Sequence, residues 1–312
     1  MFGRKKDKQK ENAQGTSYIL KQRNPVEKVV FFILFLVLSL YALSLVYPFV
    51  WLIINSVKHF VYYNIDISSG NAFALPNQAS FHPLNYIEAF TLIEAPVSGG
   101  KVSYIRMFFN SIWYTFSADI ISIFSVCCVA YVVSRFKFPG NSFLYALGIF
   151  VMTLPIVGNS GSAFKMINDF GLYNSPLFLI TSIGCFGSYF LILYGYFKNI
   201  SYSYSESAYL DGANELTVFL RIMLPQARPV MVTLFIMSFI GSWNDYMTIL
   251  LYLPSYPTIA SGMYLVKNTL LRTGKSPIYY AGIVISVIPV MIIFIAFSDL
   301  IMQNMSLGGL KG

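Results

Sequence analysis

The sequence is poor in charge. Asp, Glu, Lys and Arg make up 11% of its 312 residues, against about 25% in an ordinary soluble domain. That shortage takes the chain out of the soluble class. Histidine is scarce too: His59 and His82 share no metal-ligand spacing with another His, Cys or acid pair, so a metal centre is not expected. The three cysteines, Cys127, Cys128 and Cys185, all fall in apolar runs, where they act as small hydrophobes and offer no disulfide framework. G-x-S-x-G is missing. "GKS" at 274–276 lacks the glycine that a phosphate-binding loop needs five residues before Gly274, where Thr269 stands. Without a nucleophile, metal set or phosphate loop, the residues give an enzyme reading no support.

What the chain has instead is apolar length. Apolar residues reach 56% and aromatics 17%. Runs long enough to cross a bilayer fall at about 29–55, 107–134, 142–158, 175–197, 229–252 and 278–302, which predicts an all-α polytopic membrane fold with six transmembrane helices. The charge-free stretch Val29–Val57 is far longer than a signal-peptide core of ~7–15 residues, so the first span is expected to be retained. Of the 21 Lys and Arg, 14 fall on the side that holds the N-terminus and 7 on the other, so both termini are expected in the cytoplasm. The net charge of +8 comes mostly from "RKKDKQK", a topology signal that also suits anionic lipid and is too short to suggest nucleic acid.

The organisation expected is a basic arm, 1–28, a membrane domain, 29–302, and a cytoplasmic tail, 303–312. The outer loop 56–106 should form short helices and turns, with turn signals at "SSGN" 68–71 and "SGGK" 98–101. The inner loop 135–141 is tight, and 253–277 is read as a second long outer loop. No internal repeat is evident.

Acids inside a span are costly and mark candidate sites. Asp299 lies near an inner end, within reach of water. Asp119 lies near the middle of the second span, where it either pairs with a polar residue or lines a pathway. Asp245 belongs to "GSWNDY", so Trp243, Asn244, Asp245 and Tyr246 form a consecutive polar and aromatic set. Such a set suits a solvated cavity and a sugar, which offers an apolar face and a ring of hydroxyls; the competing reading is an interfacial aromatic belt.

The segment 205–229, "SESAYLDGANELTVFLRIMLPQARP", is polar between two apolar spans. Ser203 and Glu206 have capping-box spacing. Gly212 permits a break in direction. Gly212, Leu216, Phe219, Leu220 and Met223 follow a helical stripe, with Pro225 as its stop and Pro229 opening the next span. The expected result is a helix–turn–helix lying on the inner membrane surface as a docking knob.

These residues resemble the EAA loop of ABC-importer permeases, E-A-A-x3-G-x9-I-x-L-P. The match runs Glu206, Ser207, Ala208, Gly212, Ile222, Leu224 and Pro225, with Ser207 as the one small-for-small departure. "LPNQASFHPLNY" 75–86, "FFNSIWYT" 108–115, "SWNDY" and the terminal "GGLKG" are similar to the maltose-type branch of carbohydrate permeases. The resemblance covers about 29–312. It implies a type I importer permease fold in the bacterial cell membrane, with 198–228 as the coupling loop. It also implies a second permease subunit, to which Asp119 could pair, two ATPase subunits that use ATP and Mg, and an extracellular lipid-anchored or periplasmic binding protein. This chain would bind no cofactor and catalyse nothing; a sugar or oligosaccharide would pass through it. Gly308, Gly309 and Lys311 would reach the ATPases, and the loop 255–275 would reach the binding protein. Two alternatives stay open: an ABC permease for a peptide or amino acid, and an ion-coupled carrier, which calls for repeats, broken spans and paired midplane acids.

Overall fold

The computed structural model describes residues 25–154, 158 and 160–307. The chain divides into two compact units, 1–53 and 54–312. In the first, helix α1 (Pro25–Ser56) carries no charge after Lys28, as befits a helix without a polar face to turn to water.

The second unit opens with α2 (Phe60–Ser68) and α3 (Asn85–Leu92), then an antiparallel hairpin, β1 (Glu94–Val97) with β2 (Gly100–Ser103). The hairpin turns at Ser98–Gly99, where Gly99 has φ 97°, a conformation only glycine reaches cheaply. This small sheet corrects the all-α expectation. There follow α4 (Tyr104–Arg135), α5 (Asn141–Thr153), α6 (Ser160–Asp169), a 3-10 helix (Pro176–Ser182), α7 (Ser188–Asn199), α8 (Ser203–Leu210) and α9 (Glu215–Val218). A π turn (Phe219–Met223) joins α9 to α10 (Leu224–Asn244), and α11 (Met247–Tyr252), α12 (Ile259–Arg272) and α13 (Ser276–Leu307) complete the chain.

Among the described residues, four helical stretches are long and apolar enough to cross a bilayer: Pro25–Ser56, Tyr104–Arg135, Glu215–Asn244 and Ser276–Ser298. Six were expected. The third expected span contains α5, 13 residues long, about 20 Å against a ~30 Å hydrocarbon core. The fourth, 175–197, is not one helix. Gly184 and Gly187 (φ 134°) let the chain leave helical geometry between the 3-10 helix and α7. The N–H of Gly184 is donated to Ser125 Oγ on α4 at 3.0 Å, as a broken span requires where protein covers the backbone. The fifth begins upstream of 229 and breaks at Asp245–Tyr246. Residues 253–277, read as a loop, hold α12, whose start is closed by reciprocal bonds between Thr258 and Ser261.

Helices α4 and α10 run antiparallel through the unit. The first turn of α4, with Tyr104 and Met107, shares a core with Phe239 and Trp243 at the end of α10 and with α12. The last turns of α4, from Ile123 to Val133, share another with Val218, Met223 and Ala227, and with Phe190, Leu193 and Phe197 of α7. Close approach uses a glycine: a Cβ on Gly262 would run into Met107 Sδ. Side-chain bonds tie elements together as they do inside membranes: Tyr104 donates to Gly282 O at 2.7 Å, Asn110 to Pro257 O at 3.0 Å, and Ile259 N–H to Ser111 Oγ at 2.8 Å. At the far end of α4, Arg135 donates to Ile200 O at 2.8 Å. Three of the positions assigned to the inner side, Arg135, Lys137 and Lys198, therefore gather at one end of the unit.

Candidate functional site

The segment 203–225 folds as two short helices about Gly212, with local chemistry unlike that expected. Helix α8 starts one residue early, so Glu206 falls at its fourth position and the box with Ser203 does not form; Ser201 Oγ accepts the Ser203 N–H instead, at 3.3 Å. Gly212, at φ 81°, ends α8 in a Schellman arrangement: its N–H bonds Tyr209 O at 3.0 Å, and Ala213 N–H bonds Ala208 O at 2.9 Å. Asn214 then caps α9 by accepting Thr217 N–H at 2.8 Å. Tyr209 donates to Glu215 at 2.6 Å, bracing the two helices. Burial, then the Glu215 carboxylate, raise the Tyr209 phenol above its ordinary value, so it remains a donor at neutral pH.

Pro225 does not stop the helix. Leu224 N–H reaches Phe219 O, five residues back, and this wider turn absorbs the ring and missing donor of Pro225. Nor does Pro229 open a new span: it lies inside α10. The π turn also shifts the buried face. Val218, Phe219 and Met223 are buried, whereas Leu216 and Leu220, expected in the same stripe, are 64% and 45% exposed. Leu210 is 89% exposed. The motif thus splits by direction. Ala208, Ile222 and Leu224 pack into the core beside α4 and α7. Glu206, Ser207 and Gly212 are exposed. Glu206 enters no ion pair among the described residues.

The polar residues of the spans form a second constellation. Asp119 is 2% exposed, and its Oδ1 accepts two hydroxyls, from Ser238 and Ser242, each at 2.7 Å. Its Oδ2 and the Thr115 hydroxyl one turn earlier have no hydrogen-bond partner among the described residues. Sequence reading missed Ser238 and Ser242; their i, i+4 spacing on α10 was the signal available.

The four residues of "WNDY" do not converge. Trp243 is buried, donates to Ser286 O at 3.1 Å and stacks on Phe239 at 5.4 Å. It lines a groove of about 610 Å³ whose walls, Phe108, Phe116, Phe239 and Pro289 among them, are wholly apolar. Asn244 is exposed and bonds back to Ile240 O at 2.8 Å. Asp245 leaves the helix and accepts Thr248 N–H at 3.1 Å, so it caps α11. Tyr246 is exposed and stacks at 4.8 Å on Tyr264 of α12, a partner the sequence did not suggest. Gly308, Gly309, Lys311 and the side chain of Asp299 lie outside the described residues.

Comparison with known proteins places this geometry. The chain is 29% identical over 279 residues to the probable ABC transporter permease protein YurM of Bacillus subtilis, covering 88% of this chain and 87% of that one. It is 28% identical over 280 residues to the diacetylchitobiose uptake system permease protein NgcG of Streptomyces coelicolor, covering 87% and 86%. Its fold matches, with a TM-score of 0.71 and 21% identity, a crystal structure of a bacterial ABC transporter involved in the import of the acidic polysaccharide alginate, over 89% of this chain and 99% of that one. These relatives are transport proteins, and neither permease is an enzyme by name. The family described as binding-protein-dependent transport system inner membrane component matches residues 127–307, more than half of the chain, including the whole segment 203–225 and the Ser238 and Ser242 partners of Asp119, and the chain belongs to that family.

Proposed function

We propose that the chain is a permease subunit of an ATP-driven importer that carries a sugar or oligosaccharide. The observation that carries this reading is the split of the segment 206–225: its apolar motif residues anchor in the core while Glu206, Gly212 and three leucines face out. A monomer has no use for Leu210 at 89% exposure beside an acidic side chain; a partner's cleft does. In this reading the cleft belongs to an ATPase subunit, which binds ATP and Mg, and a second permease and an extracellular binding protein complete the complex.

Six crossings with both termini in the cytoplasm fit the basic residues at one end of the unit. The third crossing begins with α5, and the fourth joins the 3-10 helix to α7. Sugar as the solute is supported by the diacetylchitobiose permease among the relatives. The proposed pathway uses Asp119, Trp243, Asn244, Asp245 and Tyr246, with exposed Asn244 and Tyr246 placed to meet solute and Trp243 holding the helix end. Broken spans also belong to ion-coupled carriers, so the decisive test is biochemical. The tagged chain should co-purify with an ATPase whose hydrolysis rises with sugar-loaded binding protein. Isolation as a lone carrier that takes up sugar on an ion gradient would overturn the reading.

A further inference from the structure

A pocket of about 590 Å³ opens where α4 ends against α8 and α9. Two cations line it, Arg135 and Lys137, with the Ser134 and Ser205 hydroxyls and the Tyr131 and Tyr202 rings. Arg135 is held in place: one guanidinium nitrogen donates to Ile200 O at 2.8 Å, and the group lies 6.0 Å from the centre of the Tyr202 ring. Its Nε is buried inside the protein and has no acceptor among the described residues. An Arg fixed by that bond to Ile200 O presents its remaining guanidinium donors in a set direction. The acid in the lining, Glu215, is engaged by the Tyr209 hydroxyl at 2.6 Å. The pocket thus carries two positive charges against one carboxylate, with two hydroxyls, of which Ser134's already donates to Tyr131 O at 3.0 Å.

We infer that this pocket binds a phosphate-bearing ligand, with the phosphate on Arg135 and Lys137 and its organic part against the tyrosines. The volume is several times that of a bare phosphate and suits an ester with a group of about hexose size. Charge-assisted bonds from Arg and Lys are the usual means of holding such an anion. The phosphate has two possible sources. One is an anionic phospholipid headgroup, since basic and aromatic side chains at a helix end sit at headgroup level. The other is a soluble phosphate ester. Because α8 and α9 form part of the wall, an occupant would brace the exposed segment from behind; that consequence rests on the proposed coupling role, whereas binding itself does not.

The test uses the intact purified complex and reads binding directly by native mass spectrometry. One arm reconstitutes it in nanodiscs of phosphatidylcholine with and without phosphatidylglycerol. The other adds inorganic phosphate or glucose 6-phosphate to delipidated complex. Either phosphatidylglycerol or the soluble ester should be retained. Lys137→Gln should weaken retention about fivefold, the loss expected for one cation near an anionic group. Arg135→Lys, which keeps a charge but loses the planar guanidinium, should weaken it comparably. Lys137 is exposed, so its variant tests the idea even if Arg135→Lys does not fold. Lys198→Gln, a basic side chain at the same end outside the pocket, should leave retention unchanged. Failure of both arms, or an equal loss with Lys198→Gln, would overturn the site. Sugar-stimulated ATP hydrolysis, measured separately, shows whether the transport reading stands on its own.

Discussion

The two ends of the second unit are built on different terms. At one end, α2, α3 and the hairpin are laced to their neighbours. Lys58 is fully buried and pairs with Asp66 at 2.6 Å. Asn85 donates to Ser56 O at 2.8 Å and Lys58 O at 2.7 Å. Tyr63 meets the Tyr280 hydroxyl at 2.9 Å, and Asn64 reaches Gly274 O at 3.2 Å. At the other end, α8 and α9 rely on one hydroxyl cap, one Asn cap and one Tyr–Glu bond, and they leave Leu210, Leu216 and Leu220 in the open. The first end is tied together by buried polar bonds, although Leu75, Ile87 and Phe81 are exposed there as well. On the proposed function, the second is completed by a partner subunit. A damaging substitution should therefore act through folding at the first end and through partnership at the second.

The sharpest way to break this contrast is Lys58→Met. It leaves Asp66, 24% exposed, without its cation, and losing a charge-assisted bond to a partly buried group costs about 1–3 kcal/mol. We expect a lower melting temperature and less membrane-inserted protein, read by thermal melting in detergent; an unchanged melt would mean that the pair is not what secures this end. Gly212→Asp comes next, with the opposite signature. The φ of 81° and added charge should cut sugar-stimulated ATP hydrolysis by roughly tenfold or more, from a strain of about 1–3 kcal/mol plus a misfit in the cleft, while the complex still assembles. Glu206→Ala should be milder, a several-fold loss in the same assay, since a charge-assisted bond contributes about 1.5–3 kcal/mol. Its melting temperature should not move, because Glu206 caps nothing. Asp245→Leu should reduce uptake at equal expression, and equal uptake would make the helix break purely structural. The smallest effect belongs to Asn214→Ala, which removes a cap worth about 1 kcal/mol. Faster amide exchange at 215–218 with little change in transport is the expected result.

The contrast also marks what could be read from the residues. Spacing at 206, 212, 222, 224 and 225 was visible because it is local, and Gly212 does take the left-handed conformation its position implied. Charge bias along the loops was visible because it is additive. Three things were hidden. A hydropathy window averages over a few residues, so the departure from helix at Gly184–Gly187 and the break at Asp245 vanished into apolar runs. Cap registry shifts by single residues, so Ser203 and Glu206 could not be told from Ser201 and Asn214. Contacts between distant positions, Asp119 with Ser238 and Tyr246 with Tyr264, are not set by local pattern: the i, i+4 spacing of Ser238 and Ser242 marks one face but not the partner that it meets. The cap of α2, α3 and the hairpin was therefore foreseen only as short helices and turns.

One feature joins the two ends. Because Pro225 is carried through a π turn, α9 and α10 form a single helical stretch, Glu215–Asn244. At 1.5 Å per residue it spans about 45 Å, so a tilt of about 5° pivoted at one end displaces the other by about 4 Å. On the proposed coupling role, a tilt imposed on the exposed segment would be carried along it to Asn244, where the chain departs from helix. In that role the stretch would act as a lever running from the exposed segment to the helix break, with the wide turn at Phe219–Met223 along its length.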